Sequence, residues 1–200
     1  MQKRLHLYLS LLFILTALFP SATALAQADQ TLFLPSLRGY DGPRAEPYDG
    51  DPRDLVIFPR DLDGNGYVLL QEIPLGNGFV AYAIHDGHLA SIERNQGNIS
   101  FKLETSALIF NSERDAQRYL REARPRFDTW GFDKYYEEPS AYFVYVKQET
   151  NQGVTYLHTR AIVFEKNIMF LAESLEELSS ADPMRYSQMM LDKLQRWNAP

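Results

Sequence analysis

Two hydrophobic rhythms take turns along this chain, and their order outlines a fold. Residues 67–73 (YVLLQEI) read as a strand, closed by Pro74 and the turn residues Gly76, Asn77 and Gly78. Residues 79–85 fit helix and strand equally. Residues 89–94 and 99–110 read as hairpin arms joined across Asn95-Gln96-Gly97-Asn98. In the second arm Phe101, Leu103, Thr105, Ala107 and Ile109 alternate with Lys102, Glu104 and Ser106, the period of a strand with one buried face.

The period then changes. Ser112, followed three residues on by Asp115, is a close variant of the capping box, and Ala116, Tyr119, Leu120 and Ala123 repeat at helical spacing. Pro125 is expected to end that helix. After an aromatic-rich loop come three strands, at residues 142–148, 154–165 and 168–174, joined by turns at Asn151-Gln152-Gly153 and Lys166-Asn167. Asp182-Pro183 starts a last helix whose expected buried stripe is Tyr186, Met190, Leu194 and Trp197. Strands linked by tight turns pair antiparallel, which leaves the helices to cover the sheet. The fold class is therefore α+β, an antiparallel β-sheet flanked by helices.

The first 26 residues stand outside this pattern. Lys3 and Arg4 precede an apolar run over residues 5–19, Pro20 and Ser21 break it, and Ala24-Leu25-Ala26 supplies small residues for cleavage before Gln27. That is a signal-peptide pattern, with an uncleaved membrane anchor as its competitor. Cleavage leaves 174 residues and moves the net charge from −6 to −8. Residues 27–54, with four prolines and three glycines, read as an extended linker in which only the apolar phrase at residues 32–37 is a candidate for docking. The folded domain is expected over residues 55–197. The chain has no cysteine, so disulfides, zinc–thiolate sites and thiol nucleophiles are excluded, and an exported domain must hold together by packing alone. The acidic balance gives no electrostatic case for nucleic acid, and the only route to a membrane is an uncleaved signal segment. The expected location is secreted or periplasmic in a bacterium.

Residues 61–72 match the EF-hand loop template: Asp61, Asp63 and Asn65 as side-chain donors, Tyr67 through its carbonyl, and Glu72 as a bidentate carboxylate. Pro59 and Pro74 stand where an EF-hand needs helices, so a turn leading into a strand is the simpler reading and calcium the alternative. Gly76-Asn77-Gly78-Phe79-Val80-Ala81 resembles a dinucleotide fingerprint without the βαβ units that would give it meaning. His85 and His88 flank Asp86, with His158 and Glu72 as the further donors a metal site would require. No hydrolase elbow or phosphate loop is present, and no carboxylate pair is singled out by its surroundings. The segment at residues 127–145 is rich in rings. Trp130, Tyr135 and Tyr136, with Arg126 beside them, are the candidate ligand-binding residues, against the plainer reading of a loop folded over the sheet.

Several phrases resemble those of PsbP/Mog1-like domains, a group that includes extracytoplasmic bacterial lipoproteins and the sensor domains of some receptor kinases. They are Asp61-Leu62 with Gly66-Tyr67-Val68, Gly87-His88-Leu89 running to Glu93-Arg94, and Ile109-Phe110-Asn111-Ser112 running into Asp115-Ala116 and Tyr119-Leu120. The final strand pair with its Asp182-Pro183 helix completes the likeness. The resemblance implies a PsbP/Mog1-like sandwich and a non-catalytic domain for ligand binding or assembly. The lipid-anchor cysteine of such lipoproteins is missing, and Asp63-Gly64-Asn65-Gly66 is an atypical insertion. Together these observations lead to an exported, non-catalytic domain of the cell envelope that binds a small ligand or an envelope protein. The alternative is a calcium-binding structural or adhesion protein using residues 61–72, and a hydrolase with a site assembled around His85 or His158 is the remaining class.

Overall fold

Two antiparallel meanders share one sheet. In the computed structural model, which describes residues 47–75, 84–97, 99–138 and 141–197, the first meander is β1 (Val68–Pro74), β2 (Ile84–Gln96) and β3 (Ile99–Phe110). Helix α1 (Glu113–Phe127) leads to the second: β4 (Asp133–Glu138), β5 (Tyr142–Asn151), β6 (Val154–Glu165) and β7 (Ile168–Glu177). Helix α2 (Arg185–Trp197) closes the chain. The strand order is β1-β2-β3-β7-β6-β5-β4, so the meanders meet where β3 pairs with β7, from Lys102 opposite Leu175 to Ile109 opposite Ile168. The α+β expectation therefore holds. The signal segment, the phrase at residues 32–37, the Gly76–Ala81 fingerprint and most of the ambiguous stretch at 79–85 lie outside the described residues.

Each sheet face has its own core. On one, α1 lays Ala116, Tyr119, Leu120, Ala123 and Phe127 over Leu108, Phe110, Phe143, Ile162, Phe164, Met169 and Leu171. On the other, α2 brings Tyr186, Met190 and Leu194 against Phe101, Leu103, Val144, Val163 and Phe170. Two buried polar contacts fix α2 on that face: Tyr142 with Ser187, and the Tyr186 hydroxyl donating to Glu176 at 3.0 Å.

Local signals explain the element ends. Ser112 accepts the Asp115 N–H and donates its own hydroxyl to the Asp115 carboxylate, capping α1. The β5–β6 turn has positive φ at both Gln152 and Gly153, the geometry that suits the twist of a two-residue hairpin. Three expectations are corrected. Helix α1 continues to Phe127 with Pro125 inside its last turn. The carbonyl that Pro125 leaves without an N–H belongs to exposed Arg121, where water can serve it, and burial of Phe127 favours the extra residues. Part of the aromatic segment is not loop but β4, an edge strand whose four charges in six residues mask the strand signal and discourage edge-to-edge association. Trp197, placed in the buried stripe of the last helix, is 41% exposed and packs at a tilt of 59° against Tyr48, with centroids 4.5 Å apart.

Packing begins before residue 55. Tyr48, inside the stretch read as linker, is 2% exposed, and Pro52 and Leu55 to Phe58 are buried beside it. Residues 47–61 form a strap across the α2 side of the sheet, pinned at three places. Asn167 accepts the Tyr48 N–H at 2.8 Å and donates to the carbonyls of Tyr48 (3.0 Å) and Phe110 (3.1 Å). The Thr105 hydroxyl accepts the Ile57 N–H at 3.1 Å. Lys193 on α2 donates to the Val56 carbonyl and to Asp61, each at 2.7 Å. Gly50 sits so close to the Tyr48 ring that an added Cβ would lie 2.7 Å from it. These partners are more than forty residues away in sequence, so no local periodicity could announce them.

Asn167 is buried and all of its carboxamide is used. Asn167→Ala would leave a buried N–H and two carbonyls without this partner, and is expected to cost about 3 kcal/mol in urea unfolding. Asn167→Asp, which keeps the acceptor and loses the donors, should fall between the variant and the parent.

Candidate functional site: a polar row across the sheet

The antiparallel register aligns one transverse row over all seven strands: Gln71, Ser91, Glu104, Glu173, Arg160, Tyr145 and Lys134. It lies on the α1 face. The neighbouring row under the helix includes Leu89, Leu171, Ile162 and Phe143, so this face turns from apolar to polar within one step of the pleat. On the other side come Glu93, Lys102, Leu175, His158 and Lys147.

Glu104 and Glu173 stand directly opposite each other on β3 and β7, and the two differ sharply in their partners. Arg160 grips Glu173 with two parallel hydrogen bonds, Nε to Oε2 at 2.9 Å and Nη2 to Oε1 at 3.1 Å, while His158 Nε2 lies 2.7 Å from Oε1. A charged carboxylate can only accept, so His158 carries its proton on Nε2. Burial works against charge on Glu173, but the His158 hydrogen bond and the Arg160 charge hold its carboxyl below the usual range. Half-buried Glu104 accepts no hydrogen bond from a described residue. Burial first, and then the charge of Glu173, push its carboxyl up to about 7, with Arg160 opposing. The pair is thus divided into an anion and a group able to hold or release a proton near neutrality, a division that marks functional sites more often than structural ones.

Aromatic rings border the row. The Arg160 guanidinium lies over both Trp130 and Phe132, 4.9 and 4.7 Å from their centroids, and Phe132 meets the His158 ring edge-on at 4.8 Å. Trp130 also packs on Phe127 and Tyr145. Of the four residues selected from the sequence, the structure brings only Trp130 to this row. Tyr136 packs beside Tyr142, which bonds Ser187 of α2, and so serves the opposite face. Tyr135 is 56% exposed at the irregular register of β4, and Arg126 lies half-buried near the end of α1. Glu104, Glu173 and Arg160 were missed as a set because Glu104 lies fifty-six residues from Arg160 and sixty-nine from Glu173, and they meet only through strand register. The polar alternation of β3 was the single signal that could have drawn attention to Glu104.

The calcium candidates are held otherwise. Asp61 closes a 3-10 turn (Pro59–Asp61), accepting the Phe58 N–H at 2.8 Å and pairing with Lys193. Glu72 on β1 takes Arg53 at 2.5 Å and His88 at 3.1 Å, and the Arg53 hydrogen bond, with a smaller one from His88, keeps its carboxyl below the usual range. Tyr67 lies under the Arg94 guanidinium, and residues 62–65 are bends leading into β1. Asp63 and Asn65 are exposed. Among the described residues no three His, Asp or Glu side chains gather as a metal group. His85 is exposed and apart from the Glu72–His88 pair.

No protein-family model matches the sequence, and no curated protein does. Among solved structures, the crystal structure of the extracellular domain of PknH from Mycobacterium tuberculosis shares the fold, with a TM-score of 0.56 at 6% identity, over 73% of this chain and 94% of that one. Among the described residues no helix is long and apolar enough to cross a membrane.

Two outcomes follow from the electrostatics. Between pH 4.5 and about 7 the unfolded chain gives up the Glu104 proton while the folded chain keeps it, so stability falls as pH rises through that window and then levels. The drop should be roughly 2–4 kcal/mol in urea midpoints, and Glu104→Gln should flatten it. The lowered carboxyl of Glu173 acts in the opposite sense and lower down, its contribution disappearing as pH falls below 4.5. Separately, millimolar calcium should give no calorimetric heat and no change in melting temperature, because it would have to displace Lys193 from Asp61 and Arg53 from Glu72.

Proposed function

We propose that this chain is an exported, non-catalytic binding domain of the bacterial cell envelope whose ligand lies along the polar row beside Trp130 and Phe132. The observation that carries this reading is the half-buried Glu104 carboxyl, which accepts no hydrogen bond from a described residue and stands directly opposite the Arg160-gripped Glu173. Glu104 has acceptor capacity to offer a ligand, and the aromatic border has ring surface. A sugar or a short peptide presents the complementary chemistry, hydroxyl or amide donors beside an apolar surface.

Three further points support it. The fold likeness is to an extracellular domain. The first 26 residues carry the signal-peptide pattern, which would place the domain outside the cytoplasm. The PsbP/Mog1-like resemblance, and the sandwich it implies, belongs to non-catalytic extracytoplasmic domains. A binding role is also favoured over hydrolysis by the saturation of Glu173: with Arg160 and His158 both on its oxygens, it is poorly placed to attack a substrate or to activate water.

The two tryptophans make a direct test. In Trp197→Phe, Trp130 is the sole indole, and its emission reports on the row. Titration with a panel of neutral oligosaccharides and short peptides should give a saturable change with at least one class. At pH 8, above the range in which Glu104 keeps its proton, Glu104→Gln should weaken it roughly tenfold, the loss of one charge-assisted hydrogen bond. A flat response across the panel, or one that Glu104→Gln leaves intact, overturns the reading.

A further inference from the structure

The strap at residues 47–61 also borders an open pocket. Between the strap, the start of β2, the end of β3 and the β6–β7 turn lies a cavity of about 350 Å³, within the range of small-ligand sites. It is at a different end of the sheet from the polar row: Ile84 and Phe110 pair here, whereas the row crosses β2 and β3 at Ser91 and Glu104. Its walls come from four separate chain segments and include Tyr48 and Phe110, both buried in the cores. Their placement is fixed by Asn167, which bonds the backbones of both residues. The floor of the pocket is therefore set by the fold, where the strap is clamped, while exposed Pro47, Asp49, His85 and Asn111 form its rim.

The charge of its lining is one-sided. Asp49 and Asp86 line it together with His85 and Asn111, and among the described residues no Lys or Arg does. Asp86 is oriented by the Gly87 N–H at 2.7 Å, while Asp49 has no hydrogen bond or ion pair with a described residue. The Asn167 carboxamide is fully used and the Tyr48 hydroxyl donates to the Asp51 carbonyl at 2.8 Å, so neither is free for a ligand. Apart from Tyr48, no described lining residue carries a hydroxyl, and no described hydroxyl or thiol nucleophile lies beside His85. What remains is a pocket with partly apolar walls and two carboxylates at its polar side. An ammonium or guanidinium group would satisfy those carboxylates, and a short apolar body would fill the rest.

We infer that this cavity is a second binding site, selective for a small organic cation with an apolar portion. It is independent of the polar row and shares no residue with it.

The test uses the full chain and benzylammonium, with benzyl alcohol as its neutral counterpart and benzoate as the anion. Binding is read from the backbone amide shifts of Asp86, Asn111 and Asn167. Benzylammonium should move these amides saturably. Asp49→Asn combined with Asp86→Asn should weaken the effect roughly tenfold or more while leaving the amide dispersion of a folded protein. Glu104→Gln should leave it unchanged, so failure here is separable from failure of the polar-row reading. Absence of saturable shifts with benzylammonium, an equal response to benzyl alcohol, or full retention in the double variant overturns the proposal. If the double variant loses its folded dispersion, Asp86→Asn alone, which keeps an acceptor for Gly87, carries the comparison.

Discussion

The pairing of β3 with β7 is the constraint on which the rest of this molecule depends. Each meander is local: connections of two or three residues join β2 to β3 and β4 through β7, nine residues separate β1 from β2, and such pairs assemble at small entropic cost. The β3–β7 ladder is different, because it brings together residues more than fifty positions apart and must close around α1. Once it forms, two sheets too narrow to bury a helix become one seven-stranded surface with an apolar face on each side. The Phe110 N–H donating to the Asn167 carbonyl at 2.7 Å, and the Asn167 side chain returning to the Phe110 carbonyl, close the end of that ladder.

The same pairing creates the electrostatic problem at the centre of the α1 face. Glutamates directly opposite on neighbouring strands repel, and a protein with no use for them would be expected to place other residues there. Here Arg160 and His158 neutralise Glu173 from β6, and Glu104 is left to hold a proton. The arrangement keeps the row stable at the cost of a carboxyl that titrates near neutrality, which makes it responsive to whatever approaches it.

The strap shows how a domain boundary can be hidden. Pro47, Gly50 and Pro52 have the composition of a linker, and the apolar run at residues 55–58 is too short to stand out. Yet each anchor is specific: Asn167 for Tyr48, Thr105 for Ile57, Lys193 for Val56 and Asp61. These contacts bind both cores to the first residues of the domain and shape the acidic cavity.

The amino-acid sequence by itself determined the elements whose cause is local. Period-two alternation in β3, the Ser112 cap, the turns before β6 and β7, and the stripe of Tyr186, Met190 and Leu194 are all properties of a few neighbouring residues. It also determined the α+β class, because hairpin-linked strands leave few other arrangements. Tertiary structure alone decided the strap, the edge strand β4, the separation of Trp130 from Tyr136 on opposite faces, and the meeting of Glu104 with Glu173. The reason is register. A strand's pattern says which residues share a face, but only the partner strand, fixed by a closure dozens of residues away, says which of them stand side by side.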